Sequence, residues 1–245
     1  ENHFVIDAGF RIEYVYKPNG GLYTGYNVAY QTIQTELCVC VDSDDYMPDN
    51  AVEKIINMWN ERGGDKYCGL TGLDFDVRTQ KPIGGYFKGE TKEGYFNEIG
   101  HVGDSKPVFR TALIKKVSPM IGFSGEKDFN PHYMQMQVYD KYPVLLLNDN
   151  LCWVEYQIGG DSMSQAIFKQ YVRSPRSYAK MRLMEISLKH GQTFNRILSR
   201  YIHYVSSCVI MKELSLLRQL PNSLLMLLAL PFGFLLSFYV KYKAK

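Results

Sequence analysis

Neither sign of charge dominates this sequence. Its 28 Lys and Arg stand against 25 Asp and Glu, a formal net charge of +3. So small an excess, with no basic cluster interleaved with aromatics in the first half, argues against a nucleic-acid partner. Cysteine is sparse and unpaired. Cys38, Cys40, Cys68, Cys152 and Cys208 are odd in number, form no Cys-x-x-Cys and mostly sit in apolar runs. They read as reduced core residues of a cytosolic protein rather than a disulfide framework. His3, His101, His132, His190 and His203 are scattered without ligand spacing, which argues against zinc. The chain also lacks internal repeats, low-complexity linkers and a glycine-rich phosphate loop near its start. What it has is 46% hydrophobic and 22% charged content over 245 residues, enough to bury a sizeable core and nothing that suggests disorder.

The apolar run Leu37-Cys38-Val39-Cys40-Val41 stops abruptly in Asp42-Ser43-Asp44-Asp45. Such a run reads as a buried strand, so the acids land where its carboxyl end meets solvent, the place where open α/β sheets bind ligands. Asp42 and Asp44, one residue apart, offer hard oxygen donors to Mg²⁺ or Mn²⁺ and leave positions for phosphate oxygens. A calcium loop is one alternative, because Asp42, Asp44 and Glu53 fall at its first, third and twelfth positions. Tyr46 and Met47 then occupy the fifth and sixth, where a ligand and a glycine are required, and a strand leads in instead of a helix. The other alternative is a cap on a helix starting near Pro48-Asp49-Asn50, although a cap needs one acceptor and four acids are present. Spacing alone leaves the metal and cap readings evenly matched.

Tyr16-Lys17-Pro18-Asn19-Gly20-Gly21-Leu22-Tyr23-Thr24-Gly25-Tyr26-Asn27, upstream of the acids, resembles the turn and helix start before the Asp-x-Asp strand of family 2 glycosyltransferases. Downstream, Phe123-Ser124-Gly125-Glu126-Lys127 and Glu155-Tyr156-Gln157-Ile158-Gly159-Gly160-Asp161-Ser162 resemble the acceptor-side segments of that family's bacterial capsule and cell-surface polysaccharide enzymes. The order and spacing of the three agree across roughly residues 12 to 165. The resemblance implies an A-type glycosyltransferase fold, an α/β Rossmann-like mixed sheet flanked by helices. It also implies Mn²⁺ or Mg²⁺ as cofactor, a nucleotide-sugar donor with UDP commonest, a saccharide or lipid-linked acceptor, and inversion at the anomeric carbon. On this pattern Asp44 is the main metal ligand and Asp42 assists it or contacts the donor's ribose. Lys17, Asn19 and Gly20 border the donor, with Asn27 at the next helix start. Glu126 is the candidate base and Asp128 the reserve, since Lys127 stands where the family usually has its second acid. Trp153 and Tyr156 are candidates to stack on a sugar.

Such enzymes open with two strands that hold the nucleotide base and ribose. This chain starts at Glu1 beyond that point, so it is expected to be a fragment or to lack half its nucleotide pocket. Two other functions stay in view: a nucleotidyltransferase, and a catalytically inactive sugar-binding or scaffold relative.

The pattern predicts strands over 11–16, 37–41, 67–75, 106–110, 144–147 and 151–156. Helices are predicted over 25–34, around Val52, Ile55, Ile56 and Trp59, and over 111–116, with an irregular stretch over 84–103. Three parts follow: a catalytic domain over 1–165, amphipathic helices over 166–220 and a hydrophobic segment over 221–245. Arg173, Arg176, Lys180 and Arg182 make a basic face in the second part, suited either to solvent or to anionic headgroups. Ser223 to Val240 runs without charge and ends in a lysine-rich tail. That is near the roughly twenty apolar residues a spanning helix needs. The lysines fit the cytoplasmic face of the plasma membrane, with Pro231 and Gly233 making an in-plane helix equally suitable.

Overall fold

The computed structural model describes residues 12–88, 92–155 and 166–245. Its first part is a six-stranded mixed sheet. The elements in chain order are α1 (Leu22–Thr32), β1 (Leu37–Val39), α2 (Ala51–Arg62), β2 (Gly69–Asp76), β3 (Lys81–Pro82), β4 (Glu93–Gly94), α3 (Phe96–Ile99), β5 (Ser105–Arg110), α4 (Thr111–Lys115), α5 (His132–Tyr139) and β6 (Val144–Val154). Strand order is β1-β5-β2-β6-β4, with β3 against β2. β5 runs antiparallel to both β1 and β2, while β2 and β6 are parallel. The carboxyl ends of β1, β2 and β6 therefore share one edge with the start of β5.

Period-two alternation divides the core between the sheet's faces. Cys38, Phe109, Val144 and Leu146 pack on one side with Tyr30, Ile114 and Met134 from α1, α4 and α5. Leu37, Val39, Val108 and Leu145 pack on the other with α2. β2 is buried along its first six residues, as a central strand covered on both faces must be. On α2 the sheet-facing stripe is Ala51, Ile55 and Trp59. Val52 and Ile56, which share the helical spacing, are 56% and 48% exposed. They lie one step of about 100° round the helix from that stripe.

Three further expectations need correcting. The described part of the first strand, 12–16, has no regular structure; Tyr14 and Tyr16 are 86% and 78% exposed, and among the described residues no neighbouring strand supplies backbone partners. The two strands of 144–156 are one, β6, whose pairing with β2 shifts register between Thr71 and Asp74. At that irregularity the Asn148 side chain bonds the backbone of Phe87, so the chain stays paired through what reads as a break. The stretch 84–103 also contains β4 and α3.

The C-terminal part comprises α6 (Ile167–Arg173), α7 (Pro175–Ser187), α8 (Phe194–Met211), a 3-10 turn (Leu214–Gln219) and α9 (Ser223–Lys243). Its core is its own, built on Ala179, Tyr201, Tyr204, Val205, Cys208, Leu220 and Ala229. The predicted basic face is largely neutralised: Arg173 pairs with Asp128, Arg176 with Glu213 and Arg182 with Glu185. Among the described residues α9 alone is long and apolar enough to cross a membrane, with mean hydropathy 2.1. Ala229, Gly233 and Ser237, four apart, form its buried stripe. A Cβ on Gly233 would collide with Val205, so the two helices approach closely there. The other face leaves Leu224, Leu235 and Phe238 about two-thirds exposed.

Candidate functional site at the carboxyl edge of the sheet

β1 ends three residues before Asp42, and the chain then crosses the ends of β5 and β2 to reach β6. Two intervening strands set a span of about 14 Å, which the seven steps from Val39 to Tyr46 cover. The far end is fastened by a bridge in which Tyr46 N–H donates to the Trp153 carbonyl (3.2 Å) and Trp153 N–H donates to the Tyr46 carbonyl (2.8 Å). Trp153, expected on the acceptor side, thus anchors the carboxylate loop, with its ring edge-on to Phe75 at 5.8 Å. Tyr156 lies outside the described residues.

Beneath the loop sits a charged group that the sequence reading did not single out. Lys106, on β5, is nearly buried and lies 3.7 Å from both Asp45 and Asp74. Burial opposes its charge, yet Asp74, Cys152 and Asp45 outweigh that and raise its pKa. Burial also raises Asp45 and pushes Asp74 up to about 7, where the pull of Lys106 is opposed by Asp104 and Asp45. Oδ1 of Asp74 has no hydrogen-bond partner among the described residues. Lys106 therefore ties the loop, through Asp45, to the centre of the sheet. A hint existed in the sequence: Asp74 is the single charge inside the predicted strand 67–75 and Lys106 opens the predicted strand 106–110, and a charge so placed needs a partner if buried.

Asp42 and Asp44 are exposed, and among the described residues neither carboxylate enters an ion pair or side-chain hydrogen bond, unlike Asp45. No three His, Cys, Asp or Glu side chains are grouped to hold a metal among the described residues. The donor set nonetheless suits a hard cation: two free carboxylates that diphosphate oxygens and water would complete. Beside Asp42 a cavity of about 260 Å³ opens between α1 and the β1–β5 edge, lined by Tyr26, Tyr30, Cys38, Cys40 and Gln135. Burial, the Cys40 thiol and the Asp42 charge hold the Tyr26 phenol protonated well above its ordinary range.

The loop before α1 is closely tied. Lys17 Nζ donates to the Pro18 carbonyl and Thr24 Oγ1, and Asn19 Oδ1 accepts from Gly21 N–H at 3.0 Å. Gly20 packs on Thr24, and Gly21, at φ 98°, passes so close to the Lys127 carbonyl that no side chain fits. The 17–21 loop and the 126–128 segment are thus brought together. Asn27 is occupied elsewhere: its amide donates to the Met120 carbonyl (2.9 Å) and accepts from Met120 N–H (2.8 Å), fixing the 116–123 loop to α1.

Glu126 and Asp128 both engage the helical part. Glu126 is buried and accepts from the N–H groups of Arg176 (3.0 Å) and Ser177 (2.7 Å) and from Ser177 Oγ (2.7 Å). These are orphan donors at the start of α7, where the helix dipole favours an anion and Pro175 needs no partner. Asp128 accepts a fork from Arg173 at 2.6 and 2.7 Å and a bond from Ser174 Oγ at 2.8 Å. Burial works against its charge, but Arg173 and Ser174 prevail and hold its pKa low.

A mixed sheet flanked by helices, with free carboxylates at the carboxyl edge beside a glycine-bearing loop, defines the A-type glycosyltransferase class. Residues 3–116 match the family model described as glycosyl transferase family 2, so this part of the chain carries a glycosyl transferase family 2 domain. Among solved structures, S. aureus TarS (residues 1–349) is similar with a TM-score of 0.50 at 14% identity, over 94% of this chain and 69% of that one; a likeness at that identity speaks to fold. No curated protein matches the chain.

Proposed function

We propose that the chain is a metal-dependent, inverting transferase that moves a sugar from a nucleoside-diphosphate donor to a hydroxyl of a saccharide or lipid-linked acceptor, in the synthesis of a cell-surface polysaccharide at the cytoplasmic face of the membrane. The observation that carries it is the pair of exposed carboxylates, Asp42 and Asp44, without side-chain partners among the described residues, on a loop pinned at Asp45 and Tyr46. Carboxylates kept free on a fixed loop suit a ligand better than a helix cap.

Asp44 and Asp42 would hold Mn²⁺ or Mg²⁺, which supplies charge neutralisation for a departing diphosphate. Lys17, Asn19 and Gly20 border the donor, and the cavity at Tyr26 and Cys40 offers a place for its nucleoside end, UDP being the first candidate. A base removes the acceptor hydroxyl proton as that oxygen bonds to the anomeric carbon, and the carbon–oxygen bond to the diphosphate breaks. Of the two acceptor-side carboxylates, Asp128 suits the base better. Its partner Arg173 is 61% exposed and free to shift to an incoming acceptor. Glu126, with both oxygens held by α7, serves as a positioning residue.

A second reading, an inactive sugar-binding relative, is favoured by the low pKa of Asp128, which makes it a weak base until Arg173 moves. The deciding experiment is a thermal-shift titration with UDP, GDP and dTDP, each with and without Mn²⁺, on the wild type and Asp44→Ala. Stabilisation by a few degrees that needs both metal and one nucleotide and vanishes in the variant supports the donor site. An equal shift in Asp44→Ala would refute it. Donor binding without transfer to any acceptor would select the inactive relative.

A further inference from the structure

A groove of about 870 Å³ lies away from the carboxylate loop, between the 116–123 loop with α5 and α7 with the 3-10 turn. Its apolar lining includes Met120, Phe123, Phe129, Tyr133, Leu183 and Leu216. Charge on its lining is one-sided. Lys116, Lys141 and Lys180 line it and are exposed, with no ion pair or side-chain hydrogen bond to them among the described residues, whereas Arg176 is paired to Glu213, the one acid in the lining. Three uncompensated cations thus face an apolar trough.

Two connections give the groove a direction. At one end Arg176, whose backbone N–H holds Glu126, and Phe123 join it to the acceptor-side segment. At the other the 3-10 turn walls it with Leu216 and runs within four residues into α9, whose outer face is exposed and apolar. Ile121, on the lip, is 85% exposed. A ligand that meets all of this carries a phosphate or diphosphate against the lysines and a long hydrocarbon chain continuing toward a bilayer.

We propose that this groove binds the phosphate and proximal hydrocarbon of a lipid phosphate, and that such a lipid carries the acceptor. The second clause rests on the transferase reading; the binding itself does not. The volume is within the range of small-molecule sites. The probe is farnesyl diphosphate, titrated calorimetrically into the full chain in EDTA so that no metal–diphosphate site forms, with farnesol and inorganic diphosphate as controls. Expected is binding of farnesyl diphosphate with either control at least about tenfold weaker, unchanged in Asp44→Ala, and weakened about tenfold or more in the double variant Lys141→Glu, Lys180→Glu. Both lysines are exposed, so folding is spared, and the exposed Lys169→Glu on α6 controls for general charge. Farnesol binding as tightly would mean an apolar patch, and inorganic diphosphate as tightly a free-anion site. Loss in Asp44→Ala with retention in the lysine variant would move the ligand to the carboxylate loop. Each of these results, or no binding, overturns the proposal. Farnesyl diphosphate binding beside a flat nucleotide–Mn²⁺ titration would leave the groove standing and bring down the transferase reading alone.

Discussion

Replacing Asp74 by Asn removes an ionisable group whose burial opposes its charge, while keeping its shape and leaving Asp45 to face Lys106. In the folded chain Asp74 titrates at about 7 against an ordinary value of 3.8. The folded form keeps a proton that the unfolded form has already released, so stability is fully present below the ordinary carboxylate range and is lost as pH rises through about 7. Between pH 5 and pH 8 that loss amounts to about 2–3 kcal/mol, at 1.36 kcal/mol per unit of difference. For a chain of this size it corresponds to roughly 5–10 °C in Tm. Wild type and Asp74→Asn melted side by side at both pH values give the answer directly, because every other titrating group cancels in the comparison. The variant's advantage in melting point over wild type should be small at pH 5 and larger, by the equivalent of that loss of about 2–3 kcal/mol, at pH 8. Melting points that fall in parallel would refute the buried Lys106–Asp74 account and, with it, the claim that the carboxylate loop rests on a charged support.

Other consequences follow from the same geometry. Glu126→Ala leaves the first N–H groups of α7 without an acceptor in a buried position and should cost about 2–3 kcal/mol in urea denaturation. Glu126→Gln keeps one acceptor and should recover part of that, with transfer activity largely retained if Glu126 positions and does not react. Asp128→Asn should instead lower kcat by 100-fold or more, roughly the worth of a general base, with little change in donor KM. A leucine at Gly233 would drive a side chain into Val205 and should separate α8 from α9, lowering stability by about 1–3 kcal/mol, read by thermal melting.

The sheet was largely legible because its signals are local. Alternation in 37–39 and 108–109, the apolar run of β2 and the glycines after Trp59 report burial and chain reversal without knowledge of the rest. Asp42 and Asp44 were legible for the same reason: an apolar run that ends in acids states its own position relative to solvent. What escaped depends on pairing over long separations. Lys106 matters because β5 inserts between β1 and β2, and no window around Lys106 contains Asp45 or Asp74. Trp153 was assigned to the acceptor side from the segment that follows it, yet its place is fixed by Tyr46, on a loop more than a hundred residues earlier. The basic face of the second part failed similarly: Arg173 at the end of α6 and Arg176 in α7 look unpaired locally, and their acids, Asp128 and Glu213, lie outside both helices.

Those same two arginines bear on whether the helices after residue 165 are an appendage. They have a core of their own, but the 126–128 segment is built against them. Glu126 and Asp128 together accept six hydrogen bonds, all from Arg173, Ser174, Arg176 and Ser177. Cutting the chain after residue 165 would strand one buried carboxylate and uncover another, each a penalty of about 1–3 kcal/mol or more. The 126–128 segment would then lose its hold on the far side while keeping Gly21 and Asn27 on the near side. A piece covering 1–165 should therefore melt well below the full chain and show rapid hydrogen exchange through 120–130, even if its nucleotide site survives. Equal protection of that segment in both chains would mean the sheet alone positions the acceptor edge. In that case the contact between Glu126 and α7 would be a consequence of docking, not a condition for the site.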